Sequence, residues 1–115
     1  MTRTTVNGIG FHSEIAGDGL PLLLLHGFTG SGAAWRPFAG AWDGVRTVAV
    51  DLIGHGGTDA PYDASRYTME RCTADLVALL DALSIDRAAV LGYSMGGRVT
   101  LHLALAAPER VAALV

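Results

Sequence analysis

The sequence predicts an α/β protein: a mostly parallel sheet that opens with an antiparallel hairpin and carries helices on both faces. Three observations lead there. Short apolar runs without alternation, at residues 21–25, 47–50 and 88–91, have the pattern of strands covered on both sides. Between them lie stretches with apolar residues at helical spacing. Ahead of them all, Asn7-Gly8 separates two extended runs, and that pair favours a two-residue hairpin turn. Alternation of strand and helix after the hairpin implies crossover connections and parallel pairing.

Each element has its own signal. Residues 4–6 and 9–15 are the hairpin arms, and Gly17-Asp18-Gly19 is a further turn. The run 21–25 is a strand, followed by a glycine-rich loop from Gly27 to Gly32. A helix is expected over 33–42, with Trp35, Phe38 and Trp42 on one side. The strand 47–50 exits into a loop at 51–63, punctuated by glycines and Pro61. Thr68 can cap a helix running to Leu83, with Met69, Cys72, Leu76, Leu79, Leu80 and Leu83 on its apolar side. The strand 88–91 precedes a helix over 95–107, and residues 111–115 resemble a strand cut short.

Composition sets the bounds. A length of 115 residues suits one domain, and 50% apolar residues supply a core. The net charge of −3, without a basic run, argues against nucleic-acid binding. The single cysteine, Cys72, cannot form an intramolecular disulfide and is expected to be a buried thiol. No apolar signal core follows Met1, and the longest strongly apolar stretch, 20–25, is far short of the roughly 20 residues of a membrane span. A cytoplasmic protein without membrane partners is the expectation.

The chemistry concentrates at Gly92-Tyr93-Ser94-Met95-Gly96, a G-x-S-x-G pattern set between strand and helix. In that setting a sharp turn lifts a serine oxygen clear of the sheet, which makes Ser94 the candidate nucleophile. A bland alternative is a glycine-rich helix start capped by Ser94. Gly92 and Gly96 provide room where a Cβ would clash, and Gly97 is a further small residue at the same crossing. Two backbone N–H groups can hold a developing oxyanion without moving. The candidates are Met95, next to the serine, and Phe28 in His26-Gly27-Phe28-Thr29-Gly30. His26 precedes the serine and reads as a brace for its loop. The stretch 51–59 reads as scaffold, with no dyad between Asp51 and His55. Neither metal-site spacing nor a phosphate-binding glycine loop is present. Arg98 lies one helical turn after Ser94, where it can grip a substrate carboxylate or simply face solvent. Tyr93 can line the pocket or pack.

In a nucleophile turn of this kind the acid and the histidine follow the serine in the chain. After Ser94 only His102 and Glu109 are of those types. His102 is eight positions on, about 12 Å along a helix axis, and Glu109 lies beyond the helix-ending Pro108. Neither completes a triad, so the chain is expected to be the N-terminal part of a longer enzyme.

Leu25-His26-Gly27-Phe28-Thr29-Gly30-Ser31, Asp51-Leu52-Ile53-Gly54-His55-Gly56 and Gly92-Tyr93-Ser94-Met95-Gly96-Gly97-Arg98 together resemble the leading motifs of the α/β-hydrolase superfamily. Within it, the first and third motifs, with Arg66-Tyr67 and Pro108-Glu109-Arg110-Val111, are similar to the 2-succinyl-6-hydroxy-2,4-cyclohexadiene-1-carboxylate synthases of menaquinone biosynthesis. The resemblance implies an α/β-hydrolase fold over residues 1–115, ending before the lid, the triad acid and the triad histidine. It implies a cofactor-free lyase that removes a ring proton and expels pyruvate from a small carboxylate substrate. Ser94 would be the base, Phe28 and Met95 the oxyanion donors, and Arg98 with Tyr93 the substrate contacts. An ordinary ester or carbon–carbon bond hydrolase and a non-enzymatic half-fold are the alternatives.

Overall fold

A computed structural model describes all of residues 1–115. Six strands form one sheet: β1 (Thr2–Val6), β2 (Ile9–Ala16), β3 (Leu20–Leu25), β4 (Val45–Val50), β5 (Ala88–Gly92) and β6 (Val111–Leu114). Their spatial order is β1-β2-β4-β3-β5-β6. β1 and β2 form the antiparallel hairpin, and Asn7 and Gly8 at its turn have φ of 51° and 77°. Two positive φ values are what a hairpin turn matched to strand twist requires. β2 joins β4 antiparallel, and β4, β3, β5 and β6 run parallel.

Helices α1 (Met69–Ala82) and α2 (Met95–Ala106) pack together on one face of the sheet. Leu23, Leu25, Val48, Val50 and Val90 point to that face and share a core with Leu76, Leu79 and Leu80 of α1 and Val99 and Leu103 of α2. The α1 start follows the sequence: Thr68 Oγ1 accepts the Arg71 N–H at 3.2 Å. Leu24 and Ala49 point the other way and are also buried. On that side lies the segment Gly32–Phe38, whose Arg36 donates to Glu14 of β2 at 2.8 Å.

That segment corrects one expectation. The helix expected over 33–42 is a 3-10 helix over Gly32–Phe38. Pro37 has no N–H to donate, so a regular ladder cannot run through it. The aromatic grouping survives the change: Trp35 approaches Phe38 at 6.3 Å between ring centroids, and Phe38 stacks on Trp42 at 6.0 Å.

A buried polar knot ties the hairpin to α1. Arg66 Nη2 donates to both Asp75 oxygens, at 3.0 and 3.1 Å, and Asn7 Nδ2 donates to Asp75 at 3.0 Å. A paired and hydrogen-bonded carboxylate is the form in which a charge tolerates burial. The exits of β3, β4 and β5 lie at one sheet edge, the position where parallel sheets carry ligand sites.

Candidate active site

Ser94 occupies the junction of β5 and α2, with φ 53° and ψ −112°. A side chain other than glycine is strained there, and such strain persists only where the surroundings enforce it. The enforcing contacts are visible. Tyr93 N–H donates to Leu25 O at the end of β3 at 3.0 Å, and Gly96 N–H donates to Tyr93 O at 2.9 Å. A Cβ on Gly92 would overlap the Gly96 carbonyl oxygen, and one on Gly96 would overlap the carbonyl oxygens of Leu25 and His26. The first turn of α2 is thus pressed onto the exit of β3, with Ser94 raised above both.

The loop after β3 is held by His26, which is buried. Its Nε2 accepts the Leu52 N–H at 2.9 Å, and its Nδ1 lies 2.7 Å from Gly27 O. An amide N–H only donates and a carbonyl only accepts, so the proton sits on Nδ1. Burial lowers the imidazole pKa against the raising effect of the Gly27 bond, keeping the ring neutral. With both nitrogens committed, His26 is the expected brace. Beyond it, Gly30 N–H donates to Gly27 O at 3.0 Å, closing a tight turn with Phe28 and Thr29 at its centre. Thr29 has a φ of 63°.

The loop after β4 is organised by Asp51. Its carboxylate accepts N–H bonds from Gly32 at 2.6 Å and Gly57 at 2.8 Å and lies 2.9 Å from His12 Nδ1. Burial works to raise this carboxyl, but the two amide bonds and His12 outweigh it and hold the pKa below the ordinary range. Asp51 is scaffold, as expected, and its imidazole partner is His12, not His55. The His12 contact spans 39 positions of sequence, and no local pattern announces it. His55 Nδ1 lies 2.9 Å from Ile53 O.

Ser94, Met95, Phe28 and Arg98 line one cavity of about 310 Å³, joined by Met69. Four of the five residues singled out in the sequence therefore meet. Tyr93 faces a neighbouring aromatic cleft with Trp35 and Phe38. Met69 was read only as a core position; its place at the start of α1, where one side stays open, brings it to the cavity wall. Arg3, Arg36, Arg66 and Arg110 have carboxylate partners within the chain, Arg46, Arg71, Arg87 and Arg98 have none, and of these four Arg98 alone lines the Ser94 cavity. No imidazole lines this cavity, and His102 is exposed on α2. No three His, Cys, Asp or Glu side chains are grouped to hold a metal ion, and no helix is long and apolar enough to cross a membrane.

This strand–turn–helix geometry coincides with a family match: the model for the alpha/beta hydrolase fold covers residues 21–115. The chain belongs to the α/β-hydrolase family. A putative 2-succinyl-6-hydroxy-2,4-cyclohexadiene-1-carboxylate synthase of Bacillus subtilis (strain 168) is 42% identical over 94 residues, which cover 82% of this chain and 34% of that protein. Epoxide hydrolase 2 of Siraitia grosvenorii is 40% identical over 117 residues, covering 99% of this chain and 37% of that protein. Among solved structures, epoxide hydrolase VrEH1 from Vigna radiata superposes with a TM-score of 0.91 at 35% identity, covering 98% of this chain and 37% of that one. This α/β-hydrolase chain spans about a third of the length of these relatives.

Proposed function

We propose that the chain forms the nucleophile half of a synthase-like lyase that eliminates pyruvate from a cyclohexene polycarboxylate. The observation that carries this is Arg98, a cation without a partner in the chain, in the same cavity as Ser94. Such a guanidinium suits a substrate carboxylate held beside the reactive oxygen. The N–H groups of Phe28 and Met95 would hold the negative charge that develops as the ring proton leaves. Ser94 takes the ring proton, the C–H electrons form the new ring double bond, the ring C–O bond to an enolpyruvyl group breaks, and that group leaves as the enolate of pyruvate, which gains a proton on carbon from solvent to become pyruvate. Ser94 is the base, once an imidazole supplied from outside these 115 residues has taken its proton.

Epoxide hydrolysis, the activity named for other relatives, fits this nucleophile poorly. A carboxylate that opens an epoxide forms an ester, which water then cleaves. Serine attack on an epoxide carbon would form an ether, which water does not cleave. A second reading, ester or carbon–carbon bond hydrolysis, is supported by the strained elbow itself and by the shared cavity: the N–H groups of Phe28 and Met95 would serve an acyl oxyanion as well as a developing enolate.

The test is turnover of the cyclohexene polycarboxylate by the catalytically complete protein. Pyruvate release without a trapped Ser94 adduct, abolished in Ser94→Ala, supports the lyase. An acyl group trapped on Ser94 supports the hydrolase. The 115-residue chain alone should show neither, and pyruvate release by it would reveal a base within these residues.

A further inference from the structure

Between α1 and the end of α2 lies a groove of about 490 Å³, larger than the Ser94 cavity of about 310 Å³ and sharing no residue with it. Ala74 and Val77 of α1, with Ala106 and Ala107 at the end of α2, give it an apolar centre. Its one hydroxyl, Thr73 Oγ1, donates to Glu70 O at 3.1 Å and is spent there. The charge is all of one sign. Glu70 and Glu109 line the groove, both are exposed, and neither takes part in an ion pair. Arg110, next to Glu109, is committed to Asp81 and to the carbonyls of Ile85 and Asp86. The last turn of α2 has no basic residue, so the negative end of that helix adds to Glu109. A small-molecule site carries a few inward polar groups that orient its ligand. An apolar centre with charge only at exposed positions is instead the anatomy of a protein interface.

We propose that this groove docks a cationic amphipathic helix of a partner protein, with its apolar face on Ala74, Val77, Ala106 and Ala107 and its lysines or arginines against Glu70 and Glu109. Glu70 and Val77 lie two turns apart on α1, about 10 Å. That is the span from first to last anchor of a docked helix read from i to i+7. Alanines at three of the four central positions let a third helix axis approach to the ~8–10 Å of packed helices. Docking here does not depend on the chemistry at Ser94.

The alanines make the test direct. With alanine methyls carbon-13 labelled, the protein is titrated with a synthetic helical peptide of ~20 residues. It carries leucines and alanines at i, i+3, i+4 and i+7 and lysines beside them; a counterpart has glutamates in place of the lysines. Saturable shifts of the Ala74, Ala106 and Ala107 methyls are expected, with Ala34 and Ala89 unmoved. The lysine peptide should bind about tenfold more tightly at low salt, since two attractive contacts become repulsive in the counterpart. The gap should narrow at 1 M salt, where charges are screened within about 3 Å. Glu70→Lys combined with Glu109→Lys should reverse the preference; if that variant does not fold, the comparison of the two peptides on the unaltered chain decides. Spermidine, which has the charge without an apolar helical face, should bind at least ~tenfold more weakly than the lysine peptide. No saturable shift, movement of methyls outside the groove alone, equal affinity for the two peptides, or spermidine binding as tightly as the lysine peptide would overturn the docking site.

Discussion

The Leu52 amide donates to His26 Nε2 at 2.9 Å, and with the bond from Gly32 N–H to Asp51 it ties the loop after β3 to the exit of β4. Both partners are buried, and the imidazole does no other work than to bridge Leu52 and its own loop at Gly27. His26→Ala should therefore leave a buried N–H unsatisfied and destabilise the fold by about 1–3 kcal/mol. Urea unfolding followed by far-ultraviolet circular dichroism measures this. An unchanged midpoint would mean that the bond contributes nothing.

The same residue sets an acid transition. Burial holds the folded His26 pKa below its ordinary 6.5, so the unfolded chain takes up that proton first and stability falls as pH drops through that region. Asp51 acts lower: despite burial, its amide and His12 contacts hold the folded pKa below the ordinary 3.8. Its contribution is complete above that value and is lost as pH falls through the folded one. Stability should fall in an upper pH region that His26→Ala flattens and in a lower one that Asp51→Asn diminishes, the lower one shared with Glu14, Asp59 and Asp63, whose carboxyls are also held low by their hydrogen bonds. A rise in stability on acidification from neutrality would contradict the His26 assignment, and an Asp51→Asn variant that loses as much stability as the unaltered chain below pH ~4 would contradict that of Asp51.

Glycine packing at the elbow predicts a sharp contrast between neighbours. A Cβ on Gly96 would run into backbone oxygens of β3, which cannot move without breaking the sheet. A Cβ on Gly97 would meet its nearest atom, Gly92 O, at 3.3 Å, a tight but adjustable contact. Gly96→Ala should cost about 3 kcal/mol or prevent folding, and Gly97→Ala should cost under about 1 kcal/mol. Comparable melting temperatures for the two variants would mean that α2 does not press on β3 as described.

Strain at Ser94 gives a second backbone test. Its φ of 53° suits glycine better than any L-residue. Ser94→Ala keeps the strain and Ser94→Gly releases it, so the glycine variant should be the more stable by about 1 kcal/mol or more. Equal unfolding free energies would show that the turn relaxes without the hydroxyl.

These elements differ in how far the sequence announces them. Asn7-Gly8, Thr68 and the G-x-S-x-G run are local signals, because turn and cap geometry is set by residues within a few positions. Residues 33–42 misled because aromatic spacing suggested a full helix, while Pro37 limited the segment to a 3-10 helix. The pairing Asp51–His12 was invisible because it joins the hairpin to the β4 exit across 39 positions, and Arg66–Asp75 because it depends on how the 3-10 turn over Ala64–Tyr67 folds back on α1.

Arg98 offers the most discriminating test of function. It lines the Ser94 cavity, and no carboxylate in the chain neutralises it. A charge-assisted carboxylate contact contributes roughly 1.5–3 kcal/mol. In the catalytically complete protein, Arg98→Ala should therefore lower kcat/KM for the polycarboxylate by about ten- to a hundredfold. A neutral aryl ester, which offers no carboxylate, should be turned over at nearly the unaltered rate. Arg98→Lys should restore only part of the loss, because an ammonium cannot make the two-pronged contact of a guanidinium. Equal losses on charged and neutral substrates would assign Arg98 to folding rather than recognition, and would remove the main support for the lyase.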